Sequence, residues 1–162
     1  MLVLSYIQDL SSFYKIFPII CHLESNEKDE DVRKICTRTL AVIAQTFTLP
    51  EHVPSVLDSV RSVSESSLWS VRANSLEFLQ TLVFHNMSII SSKDEWIRIV
   101  EDIVLKLLED ERLEVREKAA HVLGGLLHCT ILRDQDVLLV SFFFFFRREI
   151  KEKEIKKKQE LT

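Results

Sequence analysis

The residues of this chain that could do chemistry are few and scattered. Five histidines (His22, His52, His85, His121, His128) and three cysteines (Cys21, Cys36, Cys129) are the only imidazole and thiol groups. His121 and His128 stand seven residues apart, which on one helix is two turns and about 10 Å of rise. Two ligands that far apart hold no metal without a third, and neither H-E-x-x-H nor a Cys/His cluster is present. The cysteines show no C-x-x-C spacing, and each sits in an apolar stretch. That is the setting of a buried, reduced thiol and of a reducing compartment. Glu109-Asp110-Glu111 offers carboxylates for acid–base work, but a solvated, helix-capping turn fits the run better. A G-x-S-x-G elbow, a glycine-rich phosphate loop and a cysteine paired with a histidine base are all missing. The expectation is a protein with no catalytic residue, no metal and no cofactor, and hence not an enzyme.

What does recur is structural. Val32-Arg33, Val71-Arg72 and Val115-Arg116 each open a helical-looking run, at gaps of 39 and 44 residues. HEAT and armadillo arrays repeat every ~40–47 residues. Each of their units is a helix pair that cannot bury its apolar face alone, so neighbours must stack. In such a unit the Val fills the groove between its own two helices. The Arg reaches the turn of an adjacent unit, often an Asp near the end of the first helix. Asp110, five residues before Val115, completes that arrangement; the other copies place Glu27 and Ser66 there.

The elements that must position these residues read as follows. A first helical run over about 2–24 is expected to bend or break at Pro18. The second carries the stripe Val32, Ile35, Cys36, Leu40, Ile43 and Phe47 and stops before Pro50. Val56, Leu57, Val60 and Val63 mark the third, and Val71, Leu76, Phe78, Leu79, Leu82 and Val83 the fourth. Ser92 with Glu95 reads as a capping box for a helix bearing Trp96, Val100, Ile103, Val104, Leu107 and Leu108. Val115, Ala119, Val122, Leu123 and Leu126 form the return helix. Trp69 and Trp96 are expected as core anchors rather than ligand-stacking residues. The fold class is therefore all-α, an α-solenoid of about three helix pairs (about 1–48, 51–90 and 92–129). These make a repeat region over 1–132, followed by an irregular or disordered tail over 133–162.

Composition agrees. Two glycines and three prolines among 162 residues leave little for strand-rich sandwiches. Residues 147–162 carry a balance of +3, so the first 146 carry −7. An acidic body argues against direct nucleic-acid binding and for basic protein partners. Residues 1–7 lack the basic lead-in and cleavage site of a signal peptide. Val137 to Phe146 is far short of the ~20 apolar residues of a membrane span, so no membrane partner is expected. Three units without capping pairs should expose apolar rungs at both ends and aggregate, less so once 133–162 are removed.

The tail departs from the pattern. Phe142 to Phe146 are five consecutive phenylalanines, followed by a charged run ending in Lys156-Lys157-Lys158. A helix would spread five adjacent Phe around its whole circumference. Phe codons can be all pyrimidine, and those of Arg, Glu and Lys all purine, so residues from about 133 read as translated non-coding sequence. The alternative is a membrane-attracted patch followed by a charged single helix.

Trp69-Ser70-Val71-Arg72 with the stretch Phe78 to Asn86, and Leu107 to Ala120 continuing through Leu123, Gly125, Leu126, Leu127 and Cys129, resemble the C-terminal HEAT region of the giant HEAT-repeat proteasome activators. The resemblance implies binding to the outer α-ring of the proteasome core particle and ATP- and ubiquitin-independent degradation. It further implies acetylated histones as partners, a link to DNA repair, and residence in nucleus and cytoplasm. That family ends in Tyr-Tyr-Ala; this chain ends in Glu160-Leu161-Thr162. It also carries Asn-Phe after the cysteine matched by Cys129, where this chain has Thr130 and Ile131, so Cys129, Thr130 and Ile131 mark the candidate acetyl-lysine region. The other reading is a HEAT scaffold or adaptor, such as a transport receptor or phosphatase scaffold.

Overall fold

The computed structural model describes residues 11–46 and 48–129. They form α1 (Ser11–Asn26), α2 (Glu30–Gln45), α3 (Val53–Ser64), α4 (Trp69–His85), the single turn α5 (Met87–Ile90), α6 (Asp94–Leu108) and α7 (Leu113–His128), with no strand among the described residues. The five-Phe run, the lysine-rich end, Phe47, Thr130 and Ile131 lie outside them.

Local sequence explains most of the helix ends. Asp29 caps α2, its Oδ1 accepting from the amides of Asp31 (2.9 Å) and Val32 (3.3 Å). Glu30 and Asp31 add negative charge to the first turn, where the helix dipole favours it. Pro54 sits in the first turn of α3, where its missing N–H costs nothing. The capping box expected at Ser92 and Glu95 does not form. The Ser92 hydroxyl turns back to donate to the Ile89 carbonyl (2.6 Å), and Lys93 occupies the N-cap. The α5 turn, which periodicity did not announce, lies just upstream and makes that carbonyl available.

Pro18 does not end the first helix, which runs on to Asn26. An interior proline costs about 3 kcal/mol, but Phe17 and Cys21 beside it are fully buried. The Phe17 ring packs on Phe78 of α4 at 4.4 Å between centroids. Burying each such side chain contributes about 1.5–3 kcal/mol, which offsets the lost backbone bond.

The helices stack as a HEAT-like segment of three pairs: α1 with α2, α3 with α4, and α6 with α7. The first helices form one row, α1–α3–α6, and the return helices a second, α2–α4–α7. Central α4 touches both rows and is buried on most of its circumference, through Val71, Ala73, Leu76, Phe78, Leu79, Leu82 and Val83. One core runs the length of the segment.

The outer pairs differ. On α1 and α2, Ile16, Ile19, Leu23, Ile35 and Val42 are exposed, whereas no large apolar side chain of α6 or α7 is. Apolar exposure was expected at both ends of the array; of the two outer pairs, as far as the described residues go, only the first has large apolar side chains exposed. The expected α2 stripe is corrected accordingly. Cys36, Leu40 and Ala44 are buried, Val32 and Ile43 half-buried, and Ile35 faces out. Trp96 is buried as expected, but Trp69 is 40% exposed. It opens α4 at the rim of the turn, where the Arg112 guanidinium lies 5.2 Å from its ring centre.

Candidate functional site

The densest polar constellation lies along the turns that join the two helices of each pair. Val71 and Val115 are fully buried at the starts of α4 and α7, which fixes the next residue, an arginine, against the turn. Arg72 Nη1 donates to the carbonyls of Ser66 (2.9 Å) and Ser67 (3.3 Å). Arg116 Nη1 does the same in the third pair, to Asp110 (3.0 Å) and Glu111 (3.2 Å). These carbonyls follow the end of a first helix, so each arginine supplies donors that a helix end otherwise lacks.

Arg72 also crosses between pairs. Its Nε meets Asp110 Oδ2 at 2.6 Å and its Nη2 meets Oδ1 at 2.8 Å, a fork-to-carboxylate match. Glu111 joins at 3.4 Å. Asp110 Oδ1 accepts the Arg112 amide as well (2.9 Å). Burial by itself would raise the Asp110 carboxyl. The Arg72 hydrogen bonds, the Arg112 amide and the charges of Arg72 and Arg116 outweigh it and hold the group below its ordinary 3.8. Arg72 is pushed the other way, chiefly by its hydrogen bond to Asp110. Both stay ionised at neutral pH, so the pair is a strut.

The first pair departs from this plan. Val32 is half-buried and Arg33 exposed. Ser66 holds the place that Asp110 holds one pair later, and its hydroxyl accepts the Leu68 amide at 3.3 Å. The missing carboxylate is legible in the sequence. The Trp69–Arg112 contact and the buried Asn86 are not. Asn86 accepts from the Thr48 amide (2.7 Å) and donates to the carbonyls of Thr46 (3.2 Å) and Leu82 (3.1 Å). It thereby pins the link between the first two pairs to α4, although nothing in its periodic position announces that role.

The reactive groups do not converge. His22, His85, His121 and His128 are exposed, and no three of His, Cys, Asp and Glu gather as a metal-holding group among the described residues. Cys21 is buried, and that burial, followed by the nearby Glu24 charge, pushes its thiol from 9.0 up to about 12. Cys36 is buried too, whereas Cys129 is half-buried at the end of α7. A cavity between α2 and α4, walled by Leu40, Ala44 and Phe78 and rimmed by Glu24 and Glu77, holds about 80 Å³. Small-molecule sites need roughly 300 Å³ or more; a larger groove of about 420 Å³ along α1, lined by Pro18, Ile19, His22, Leu23, Asn26 and Glu27, lies open to solvent. Nor is any helix of the described residues long and apolar enough to cross a membrane. What this arrangement offers chemically is surface: two rows of helices and a braced edge of turns.

No protein-family model matches the chain. Proteasome activator complex subunit 4 of Xenopus laevis is 37% identical to it over 130 residues, 80% of this chain and 7% of that protein. The Homo sapiens protein of the same name is 34% identical over 140 residues, 86% of this chain and 7% of that one. Proteasome activator subunit 4 of Arabidopsis thaliana is 29% identical over 124 residues, 76% and 6% respectively. The chain thus spans about 7% of the length of the first two. An engineered protein of solved structure overlays on 72% of this chain at 22% identity with a TM-score of 0.35, too loose a fit to carry an argument.

Proposed function

This chain is homologous to proteasome activator complex subunit 4 over most of its length, and from that relationship we propose that it acts by binding the proteasome core particle. The reading is non-catalytic. The homology carries it; the absence of any converging reactive groups among the described residues sits easily with it. The contact would be with the outer α-ring, made by the helix rows and turn edges. Its consequence would be ATP- and ubiquitin-independent degradation, acetylated histones among the substrates, in nucleus and cytoplasm. The acidic balance of the first 146 residues suits basic substrates of that kind.

The test is direct. Purified core particle is mixed with the full chain, and association is followed by sedimentation alongside hydrolysis of a fluorogenic peptide. Co-sedimentation, saturable with added chain, is the expected result. A chain that stays free of the core particle at tens of micromolar overturns the reading and leaves a HEAT scaffold or adaptor in its place.

A further inference from the structure

The turn of the second pair carries a hydroxyl where the turn of the third carries its bracing carboxylate. Asp110 stands six residues before Arg116 and takes the fork of Arg72, the arginine of the preceding pair. Ser66 stands six residues before Arg72, so the same register sets it against Arg33, the arginine of the first pair. Arg33 is exposed, and its side chain makes no bond among the described residues. Val32 beside it is half-buried, whereas Val71 and Val115 are fully buried, so this copy of the plan is the looser one.

The first two pairs meet along this edge. Ser66 Oγ lies 3.5 Å from His22 Nε2 on α1, and Asn74 Nδ2 donates to Glu24 Oε2 (2.9 Å) and Ser25 Oγ (3.3 Å). α2 packs along α4 as α4 packs along α7. Ser66 Oγ accepts the Leu68 amide at 3.3 Å, as Asp110 Oδ1 accepts that of Arg112. The link over 65–68 is open to solvent: Ser66 is half-buried and Glu65, Ser67 and Leu68 are exposed. It leads into α4, whose N-cap Leu68 supplies no side-chain acceptor. An anion here would therefore face an uncapped helix start as well as Arg33 and His22.

We propose that Ser66 is a phosphorylation site, and that its phosphate takes Arg33 as Asp110 takes Arg72, bracing the first pair to the second. A serine/threonine protein kinase would move the γ-phosphoryl group of ATP onto Ser66 Oγ. The bond from the γ-phosphorus to its bridging oxygen breaks, the O–P bond forms, and ADP and the hydroxyl proton leave. The product carries a charge of about −1.5 to −2 and three acceptor oxygens. Those oxygens lie one bond further from the backbone than an aspartate's, which suits an arginine that does not already touch the turn. Ser67 is the poorer candidate, because its counterpart Glu111 meets Arg72 only at 3.4 Å. The inference is independent of any contact with the core particle.

Two measurements test it. The full chain is isolated from cultured eukaryotic cells under phosphatase inhibition, and its tryptic peptide 62–72 is sequenced by mass spectrometry. Phosphate on Ser66 is the expected finding. A peptide without phosphate, or with phosphate only on Ser62, Ser64, Ser67 or Ser70, overturns the site. Next, phosphoserine is installed at position 66 of the full chain by codon suppression. Amide exchange in α1 and α2 should slow by about three- to tenfold and the melting midpoint should rise. Arg33→Gln should abolish both gains and leave the unmodified chain unchanged, and phosphoserine at position 67 should give neither gain. Gains that survive Arg33→Gln overturn the bracing. So does faster exchange at the start of α7, which would mean that Arg72 has left Asp110 for the phosphate. If Arg33→Gln destabilises the unmodified chain, Arg33 is already engaged and the proposal fails likewise.

Discussion

Arg72 and Asp110 belong to different helix pairs, yet they meet through two parallel N–H···O contacts, Nε–Oδ2 at 2.6 Å and Nη2–Oδ1 at 2.8 Å. Their side chains are 9% and 7% exposed. The guanidinium also holds the two serine carbonyls of its own turn. One side chain therefore closes its own pair and fastens the next.

Removing Asp110 leaves the Arg72 guanidinium with only the longer Glu111 contact and the two serine carbonyls. Asp110→Ala should cost about 2–4 kcal/mol, between an exposed pair and a fully buried one. Replacing both residues, Arg72→Met with Asp110→Leu, should cost less than Asp110→Ala alone. Urea unfolding of the native chain, Arg72→Met, Asp110→Leu and the double variant completes the cycle, and additive losses would contradict the geometry.

Because the Asp110 carboxyl is held below its ordinary 3.8, its contribution is fully present above that value. It is lost as pH falls through the lower value of the folded state. The stability gap between the native chain and Asp110→Asn should therefore be constant from pH 5 to 7 and shrink below about pH 4. A gap that widens on acidification would mean the carboxyl is raised instead.

Gly124 and Gly125 are neighbours with different surroundings. Nothing lies within 4 Å of a Cβ at Gly124, whereas one at Gly125 meets Gln80 and Phe84. Gly124→Ala should stabilise α7 by about 0.5–1 kcal/mol. Gly125→Ala should be near neutral, because the end of the Gln80 side chain can swing aside. Gly125→Leu should destabilise by about 1–3 kcal/mol by forcing α7 off α4. Thermal melts rank the three.

Asn86→Ala removes the acceptor of the buried Thr48 amide and two donors. The expected loss is about 2–3 kcal/mol, with the Thr48 amide exchanging faster than those of α6 and α7. Uniform acceleration along the chain would show that Asn86 does not act on the link specifically.

Ser66 stands where Asp110 stands, six residues before the next arginine. Ser66→Asp should give the exposed Arg33 a carboxylate partner and stabilise the chain by up to about 1 kcal/mol. Arg33→Gln should erase that gain. A gain that survives Arg33→Gln would come from the turn alone.

Much of this protein is legible residue by residue. The spacing of Val32, Val71 and Val115 and the stripes that follow them determine helices, their pairing and the stacking of pairs, because a 3.6-residue period leaves one apolar face per helix in need of cover. The scatter of the histidines and cysteines, with no metal-ligand spacing among them, was likewise readable directly. Asp110 as the completed copy, and Ser66 and Glu27 as incomplete ones, could be read directly.

Tertiary structure decided what periodicity cannot encode. Pro18 stays helical because Phe17 and Cys21 beside it are buried, and packing outweighs one lost backbone bond. Trp69 faces solvent although it precedes a buried valine, because it opens α4 at the rim of a turn. Ile35 sits on a regular apolar stripe and is nonetheless exposed, because burial depends on the neighbour across the groove as well as on the stripe itself. The choice of Asp110 rather than Glu111 as the main partner of Arg72 is geometric. Three carboxylates stand in a row, and only the placement of α4 against the third turn aims the fork at one of them.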